Sequence, residues 1–325
     1  MPGLLLRRLG ASLLLLFLVL SGTFFLLHVT PGDPTTVSED PRITQQQREH
    51  LRRIYGLDRP LPVQYAAWLS AVVFHGDWGI SLAQQRPVSA ALAEALPATL
   101  LLASSALVVQ YSVGFLLGVA AARRAGRPAD HLIRILSLLL YSQPVFWVGL
   151  MAILLFSLEF PLLPASHMHS AAAGDMGSLA RLLDLARHLL LPALVMGLHG
   201  AGAIARLVRG NLLETMGREF MVTARAKGLS ERRVIWVHGV RNALVPLIQV
   251  FALSLSGLLS GSLVTEVVFA WPGLGRLTFA AILDRDYPLI LATTAFAAIL
   301  VILGNLLADL LQGLADPRVR HARHE

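Results

Sequence analysis

The chain has 325 residues, of which 55% are hydrophobic, 14% are charged and none is cysteine. Soluble domains carry about a quarter charged residues, so this balance points to lipid as the solvent. The missing thiols exclude a disulfide framework, a thiolate metal site and a cysteine nucleophile. The formal charge of +7 is almost all arginine, with Lys227 the one lysine, and its meaning depends on where it sits relative to the apolar segments.

A bilayer core takes about 20 consecutive apolar helical residues. Six stretches of about that length lack Asp, Glu, Lys and Arg: Leu9–Leu27, Ala95–Ala122, Ile135–Leu158, His188–Ala205, Asn242–Thr265 and Tyr287–Ala308. Each is rich in Leu, Ala and Val, and a helix satisfies its own backbone where water cannot reach. The expected fold is therefore an all-α integral membrane protein with about six spans. Pro97, Pro144, Pro192 and Pro246 lie in or at the ends of four stretches, where neighbouring helices can absorb a kink. The fourth stretch is the shortest and carries His188 and His199. The first follows Arg7 and Arg8 like a signal peptide. Its apolar run exceeds the usual ~7–15 residues and no A-x-A site follows, so an uncleaved first span is expected.

Orientation follows from the basic residues flanking short loops. With the N-terminus inside, the inner segments hold Arg7 and Arg8; Arg123, Arg124, Arg127 and Arg134; a cluster from Arg206 to Arg241; and Arg318, Arg320 and Arg323. These are well over half of the 27 basic residues, so both termini are expected inside. The positive charge then marks topology and is no nucleic-acid footprint. The organisation expected is a tail and first span over 1–28, an extracytoplasmic cap over 29–94, a five-helix core over 95–312 with an inner loop at 206–241, and an inner tail over 313–325.

Among the outer pieces, the cap opens with Pro31-Gly32-Asp33-Pro34 and a charged, helix-like stretch at Gln45–Ile54. Leu57-Asp58-Arg59-Pro60-Leu61-Pro62 breaks that helix, and an amphipathic pattern resumes over Tyr65–Phe74. The second outer loop carries His167-Met168-His169, a ligand-like pair with no third donor at close spacing, and reads as a surface loop. In the third piece, Trp271, Pro272, Gly273 and Gly275 form a tight turn between short apolar segments beyond Glu266. This is either a re-entrant turn at an outer gate or an ordinary loop with an interfacial Trp anchor.

The inner loop is the most informative segment. A helical pattern ends at Thr223-Ala224-Arg225-Ala226-Lys227-Gly228. Gly228 suits a helix C′ position, where positive φ meets no Cβ clash. Ser230 suits an N-cap, and Glu231 suits the positive end of the next helix. The result is a helix–turn–helix with a small-residue tip, expected to continue from spans four and five. A partner's surface can approach such a tip closely, with the surrounding arginines reaching its carboxylates or carbonyls. A DNA-reading helix–turn–helix is a poor fit between two spans, and a merely topogenic basic loop is the plainer alternative.

At this loop the sequence resembles the permease subunits of binding-protein-dependent ABC importers, more narrowly the dipeptide/oligopeptide/nickel permease family. Glu219-Phe220-Met221-Val222-Thr223-Ala224-Arg225-Ala226-Lys227-Gly228-Leu229-Ser230 is similar to that family's version of the "EAA" loop, and Val240-Arg241-Asn242-Ala243-Leu244-Val245-Pro246 continues the match. Val222 stands where other importers have Glu, and the interval from Gly228 to Pro246 is longer than in sugar-importer permeases; both are usual for the peptide/nickel branch. Further matching pieces are Tyr55–Tyr65, Leu96-Pro97-Ala98-Thr99-Leu100, Phe269–Arg276, Arg285-Asp286-Tyr287-Pro288 and Asp316-Pro317-Arg318. The resemblance thus spans nearly the whole chain in order. It implies a type I importer permease fold and a coupling loop of Glu219, Thr223, Ala224, Arg225, Ala226, Lys227, Gly228 and Leu229 that docks into a cytoplasmic ATPase subunit.

The chain carries no G-x-x-x-x-G-K-[ST] loop, so it cradles no phosphate in that way. The resemblance implies that ATP and Mg²⁺ stay on two partner ATPase subunits, with a second homologous permease completing the pore and an extracytoplasmic binding protein delivering the substrate. An ion-driven secondary transporter is the competing class; its mid-membrane ionisable groups would be His199 or Glu266. A membrane enzyme lacks H-E-x-x-H, G-x-S-x-G and paired intramembrane carboxylates. The resemblance implies short peptides as the expected substrate. Nickel or a nickel chelate is the alternative, suggested by Gly79–Val88 and compatible with His167 and His169.

Overall fold

The computed structural model describes residues 2–30, 58–240 and 245–315. The Pro31–Pro34 turn, the Gln45–Ile54 stretch, Arg241 and the Asp316-Pro317-Arg318 motif lie outside the described residues. The chain is mostly helical. In order come α1 (Pro2–Val29), α2 (Leu61–Ser70, widening into a π turn at Ala71–His75), β1 (Ile80–Ser81), β2 (Arg86–Pro87) and α3 (Val88–Arg123). There follow α4 (Pro128–Ser142), α5 (Val145–Ile153, continuing as a π turn at Leu154–Glu159), a 3₁₀ turn at Ala171–Asp175, and α6 (Ser178–Met216). The last elements are α7 (Glu219–Ala226), α8 (Glu231–Arg233, continuing as a π turn at Val234–Gly239), α9 (Val245–Val268), α10 (Leu274–Leu283) and α11 (Tyr287–Ala315).

Among the described residues, four helices are long and apolar enough to cross a membrane, or five if α4 and α5 together count as one bent span. The third expected span is corrected by that bend. Ile135–Leu158 is not one helix, because the axis turns by 100° between α4 and α5. Pro144 disfavours helical torsions in the residue before it, and Gln143 is extended at φ −84°, ψ 141°. The fourth stretch, shortest in the sequence, lies within the longest helix, 39 residues. Charged residues bounded the apolar run but do not end the helix: Arg187 donates to the Leu162 carbonyl at 3.3 Å and Arg206 to the Ser137 carbonyl at 3.4 Å.

The chain forms two compact units, Met1–Thr99 with Pro272–Leu300, and Leu100–Trp271 with Val301–Glu325. In the first, Phe24 of α1 stacks on His28 and Trp68 and meets Tyr65 edge-on, while Ser21 Oγ shares a 2.6 Å hydrogen bond with the Tyr65 hydroxyl. Its core joins Val88, Leu92 and Ala95 of α3 to Leu274 and Ala281 of α10 and to Leu289 and Ile290 of α11. Elsewhere α1 exposes Leu13, Leu14, Phe17 and Leu18, as a lipid-facing helix does.

The second unit is built around α6, approached on two faces through glycines. A Cβ at Gly118 of α3 would lie 2.6 Å from Val208 Cβ, and one at Gly114 would lie 2.7 Å from the Ala201 carbonyl. From the α6 side, Gly197 faces Val109 at 2.6 Å and Gly202 faces the Ser137 carbonyl of α4. Small residues let backbones approach where apolar burial gives helices no preference over lipid. Polarity is accordingly inverted on α4. Asp130 and Ser137 are its buried residues, while Leu132, Ile135, Leu136, Leu138 and Leu139 are exposed. Ser254 of α9 sits 3.2 Å from Gln110 Nε2 and 3.1 Å from the Tyr111 hydroxyl, both on α3.

Replacing Gly118 with Val should lower the melting temperature of the detergent-solubilised protein, by overpacking worth about 1–3 kcal/mol. Gly210→Ala, where nothing lies within 4 Å, should cause no loss. Equal melting of all three proteins would refute close packing at Gly118.

Candidate functional site

The segment between α6 and α9 is not continuous with α6. That helix ends at Met216, Gly217 closes it, and Arg218 turns extended at φ −79°, ψ 149° before α7 begins. The expected rigid continuation into the tip is therefore replaced by a break and a separate short helix held by packing. Met221 and Ala224, three residues apart on α7, are buried against Val234, with Met216 and Leu229 alongside. Gly239 lets the returning chain approach Leu212 at 3.0 Å and Met221 at 3.3 Å from a built Cβ.

With one face of α7 anchored, Phe220, Val222, Thr223, Arg225 and Ala226 stand exposed, and so do Lys227 and Gly228 beyond its end. Val222, which stands where other importers have Glu, is 59% exposed. Gly228 has φ +76°, the torsion expected for it, and Leu229 tucks beneath the turn. Ser230 occupies the N-cap position of α8 in extended torsion without a side-chain cap bond. Arg225 reaches across the turn to Glu231 in a two-bonded pair, Nε to Oε2 at 3.1 Å and Nη2 to Oε1 at 3.0 Å. This arginine is thus engaged within its own loop. The hydrogen bonds from Arg225 hold the Glu231 carboxyl below the usual carboxylate range, and the same pairing raises the Arg225 guanidinium. Glu219 lies in the first turn of α7, where its charge suits the helix N-terminus.

The five residues of the second candidate site divide at Trp271–Pro272, where the chain passes from one compact unit to the other. Glu266 and Trp271 are fully buried, and the Trp271 amide donates to the Glu266 carbonyl at 2.8 Å. The turn needing positive φ falls at Ala270, φ +49°, and no glycine is required there. Pro272 follows, Gly273 is extended at φ −99°, ψ 178° as the N-cap of α10, and Gly275 lies inside that helix. The expected tight turn is therefore shorter than its four residues. The Leu274 amide donates to Thr99 Oγ1 at 2.7 Å, and α10, with 10 residues, is too short to span. Of the histidine pair, His167 Nδ1 shares a 2.9 Å hydrogen bond with Ser166 Oγ, and His169 Nδ1 lies 3.2 Å from Asp184 Oδ2. Among the described residues no group of three His, Cys, Asp or Glu can hold a metal ion.

Two buried carboxylates escaped the sequence reading. Asp130, in the first turn of α4, receives Arg209 of α6 through Nε at 2.6 Å and Nη2 at 2.7 Å, and takes the Gly126 amide at 3.0 Å. In the other unit, Asp286 caps α11 through the Leu289 amide at 3.2 Å. It also receives Ser81 Oγ at 2.5 Å and the Ala83 amide at 3.1 Å, so one carboxylate holds the β-hairpin to the helix start. An acid just before a proline-containing first turn, as in Asp286-Tyr287-Pro288, is a helix-start signal. Such a signal marks a cap but cannot name Ser81, 205 residues away in sequence.

Residues 114–321 match the family model "Binding-protein-dependent transport system inner membrane component", and residues 1–103 match the N-terminal model of such membrane components. The chain belongs to this permease family. Relatives align end to end. They include the oligopeptide transport system permease protein AppB of Bacillus subtilis, 36% identical over 99% of this chain and 100% of that protein. The di/tripeptide transport system permease protein DppB of Pseudomonas aeruginosa is 39% identical, and the dipeptide transport system permease protein DppB of Escherichia coli K12 is 37% identical, each over 98% of both chains. A crystal structure of an amino acid ABC transporter with histidines matches 70% of this permease and 94% of that chain with a TM-score of 0.50 at 11% identity, a likeness of fold. This permease is an inner-membrane transport component with the loop bearing Glu219–Leu229 inside the matched region.

Two outcomes follow for the permease. A carboxyl with a depressed folded-state pKa contributes stability at neutral pH that is lost as pH falls through the folded value. Spin labels on cysteines introduced at Val222 and Arg232 should therefore give a narrow distance distribution above roughly pH 5, broadening in stronger acid. Glu231→Gln should broaden it at every pH, and a pH-independent wild-type distribution would refute the clasp. Asp286→Ala leaves two buried donors, the Ser81 hydroxyl and the Leu289 amide, and the part-buried Ala83 amide without their acceptor, and should cost on the order of 3 kcal/mol in thermal or denaturant unfolding; an unchanged midpoint would count against the Asp286 junction.

Proposed function

We propose that this permease is one of two homologous pore-forming subunits of an ATP-driven importer that carries short peptides across the cytoplasmic membrane. The end-to-end similarity to three permeases named for oligopeptide, di/tripeptide and dipeptide transport carries this reading. In it, two cytoplasmic ATPase subunits hold ATP and Mg²⁺, and an extracytoplasmic binding protein presents the substrate. We count α9, which has 24 residues and Glu266 as its one charged group, as a further span. That gives six, with both termini and the 206–241 loop inside and the 29–94 segment forming the outer cap.

The geometry suggests a division of labour within the coupling loop. Met221 and Ala224 anchor α7 from beneath, and the Arg225–Glu231 clasp and positive-φ Gly228 set the turn. Glu219, Thr223, Ala226 and Lys227 then lie with exposed Phe220 and Val222 on the side left for an ATPase subunit. Apolar side chains outside a membrane span are costly to leave uncovered, and a shallow hydrophobic cleft of the ATPase would cover them. Alternating access is a two-state equilibrium, which ATP and binding protein shift only by binding the states unequally. The Glu266–Trp271 turn and the Pro272-Gly273-Gly275 start of α10 remain the candidate outer gate in this proposal.

The test is a complex reconstituted in liposomes with its ATPases and binding protein, loaded with labelled dipeptide or radioactive nickel. Dipeptide uptake is expected; nickel uptake without peptide uptake would overturn the substrate class. Val222→Asp should leave membrane insertion intact and reduce peptide-stimulated ATP hydrolysis on the order of ten-fold. Ala224→Asp should disturb the loop itself, because its methyl is buried. Full coupling in the Val222 variant would refute the docking face.

A further inference from the structure

One end of the second compact unit carries cations that neither the fold nor the proposed coupling uses. α3 ends at Arg123, the chain turns through Arg124 and Gly126 (φ +75°), and Arg127 stands at the N-cap of α4. Arg127, His131 and Arg134 follow the spacing i, i+4, i+7, which is one stripe of a helix, and all three are exposed. Arg134 Nη2 donates to His131 Nδ1 at 2.9 Å, holding those two together. The only acid from 123 to 142 is Asp130. It is 1% exposed and is occupied by Arg209 and the Gly126 amide. Arg134, one turn on, adds to the field on that carboxylate, but the Asp130 charge is already met by two hydrogen bonds from Arg209, so the stripe keeps a net positive charge. The same exposed side continues into apolar residues, with Ile135, Leu138 and Leu139 about half exposed or more after Arg134.

From this pattern we propose that the α3–α4 corner is a binding site for an anionic phospholipid. The phosphate lies between Arg127 and Arg134, with Arg124 flanking it, and an acyl chain runs along Ile135 and Leu138. A cation stripe set immediately above an exposed apolar stripe on one helix matches the two halves of a lipid, headgroup and chain. Basic residues at such a level attract anionic headgroups, and long arginine stems reach the interface while lying on apolar surface. The buried Asp130–Arg209 pair contributes by fixing the Gly126 turn, which places Arg124 and Arg127 side by side. The site is distinct from the loop proposed to dock the ATPase and does not depend on which substrate is carried.

The experiment places the full-length permease, with its partner subunits, in nanodiscs of phosphatidylcholine containing a minor fraction of phosphatidylglycerol, and counts the lipids retained after gentle release by native mass spectrometry. The wild type should retain phosphatidylglycerol preferentially. Arg127→Gln with Arg134→Gln should lower that preference about thirty-fold, roughly a factor of five per arginine, whereas the corresponding double lysine variant should keep it. Arg232→Gln with Arg233→Gln, which removes two exposed cations elsewhere, should leave it unchanged. Retention undiminished in the double glutamine variant would overturn the site. An equal loss in the Arg232 and Arg233 variant would show only bulk surface charge, and displacement of the lipid by inorganic phosphate would show a simple anion site. Should the double glutamine variant fail to assemble, the lysine variant and phosphate competition on the wild type still decide the matter.

Discussion

The close approach of α3 and α4 to α6 is the constraint on which the second unit depends. In lipid, burying leucine against leucine offers no advantage over leucine against acyl chains, so association must come from tight contact and from polar pairs. Gly114 and Gly118 meet α6 at backbone distance, and Gly202 takes the Ser137 carbonyl from the other side. A helix of 39 residues held on two faces in this way behaves as a stiff spine, about 58 Å long at 1.5 Å per residue. The core of Val119, Ile204, Val208, Leu212, Ile235 and Val240 then couples its lower half to the returning chain of the loop.

The few buried charges follow from that packing. A carboxylate in a low-dielectric setting is tolerated only when paired and hydrogen-bonded. Asp130 meets this with two guanidinium bonds and one amide. Asp286 meets it with one hydroxyl and two amides. Each fastens a short irregular segment, the Gly126 turn in one unit and the Ile80–Pro87 hairpin in the other, to the start of a helix. Irregular backbone is the part of a membrane protein that lipid cannot satisfy, and these carboxylates stand where the regular helices give way to it.

The loop between α6 and α9 uses a different economy. Its helix α7 has eight residues, too few to be stable alone, and is carried by Met221 and Ala224 beneath it and by the Arg225–Glu231 pair across its end. Such a helix presents a defined face without being continuous with a span. Force applied at Val222 would reach α6 through the Met221, Val234 and Gly239 contacts and not along an unbroken helical rod.

The sequence by itself determined the solvent, most of the helices and the tip of the loop. Composition and runs free of charge suffice for the first two, because lipid imposes one rule on every exposed position. Gly228 was legible because positive φ is a local property with one favoured residue. The interrupted third span was half legible: Pro144 marked the place, but a 100° turn and not a kink depends on what α4 and α5 each pack against. The full length of α6 was hidden, because Asp184, Arg187, Arg206 and Arg209 read as span ends until their partners are in place. Which alanine of the loop faces inward, and that Arg225 turns back to Glu231, were decided by packing. The pairings of Asp130 with Arg209 and of Asp286 with Ser81 belong wholly to the tertiary structure, since they join residues 79 and 205 positions apart and local propensity carries no information over such distances.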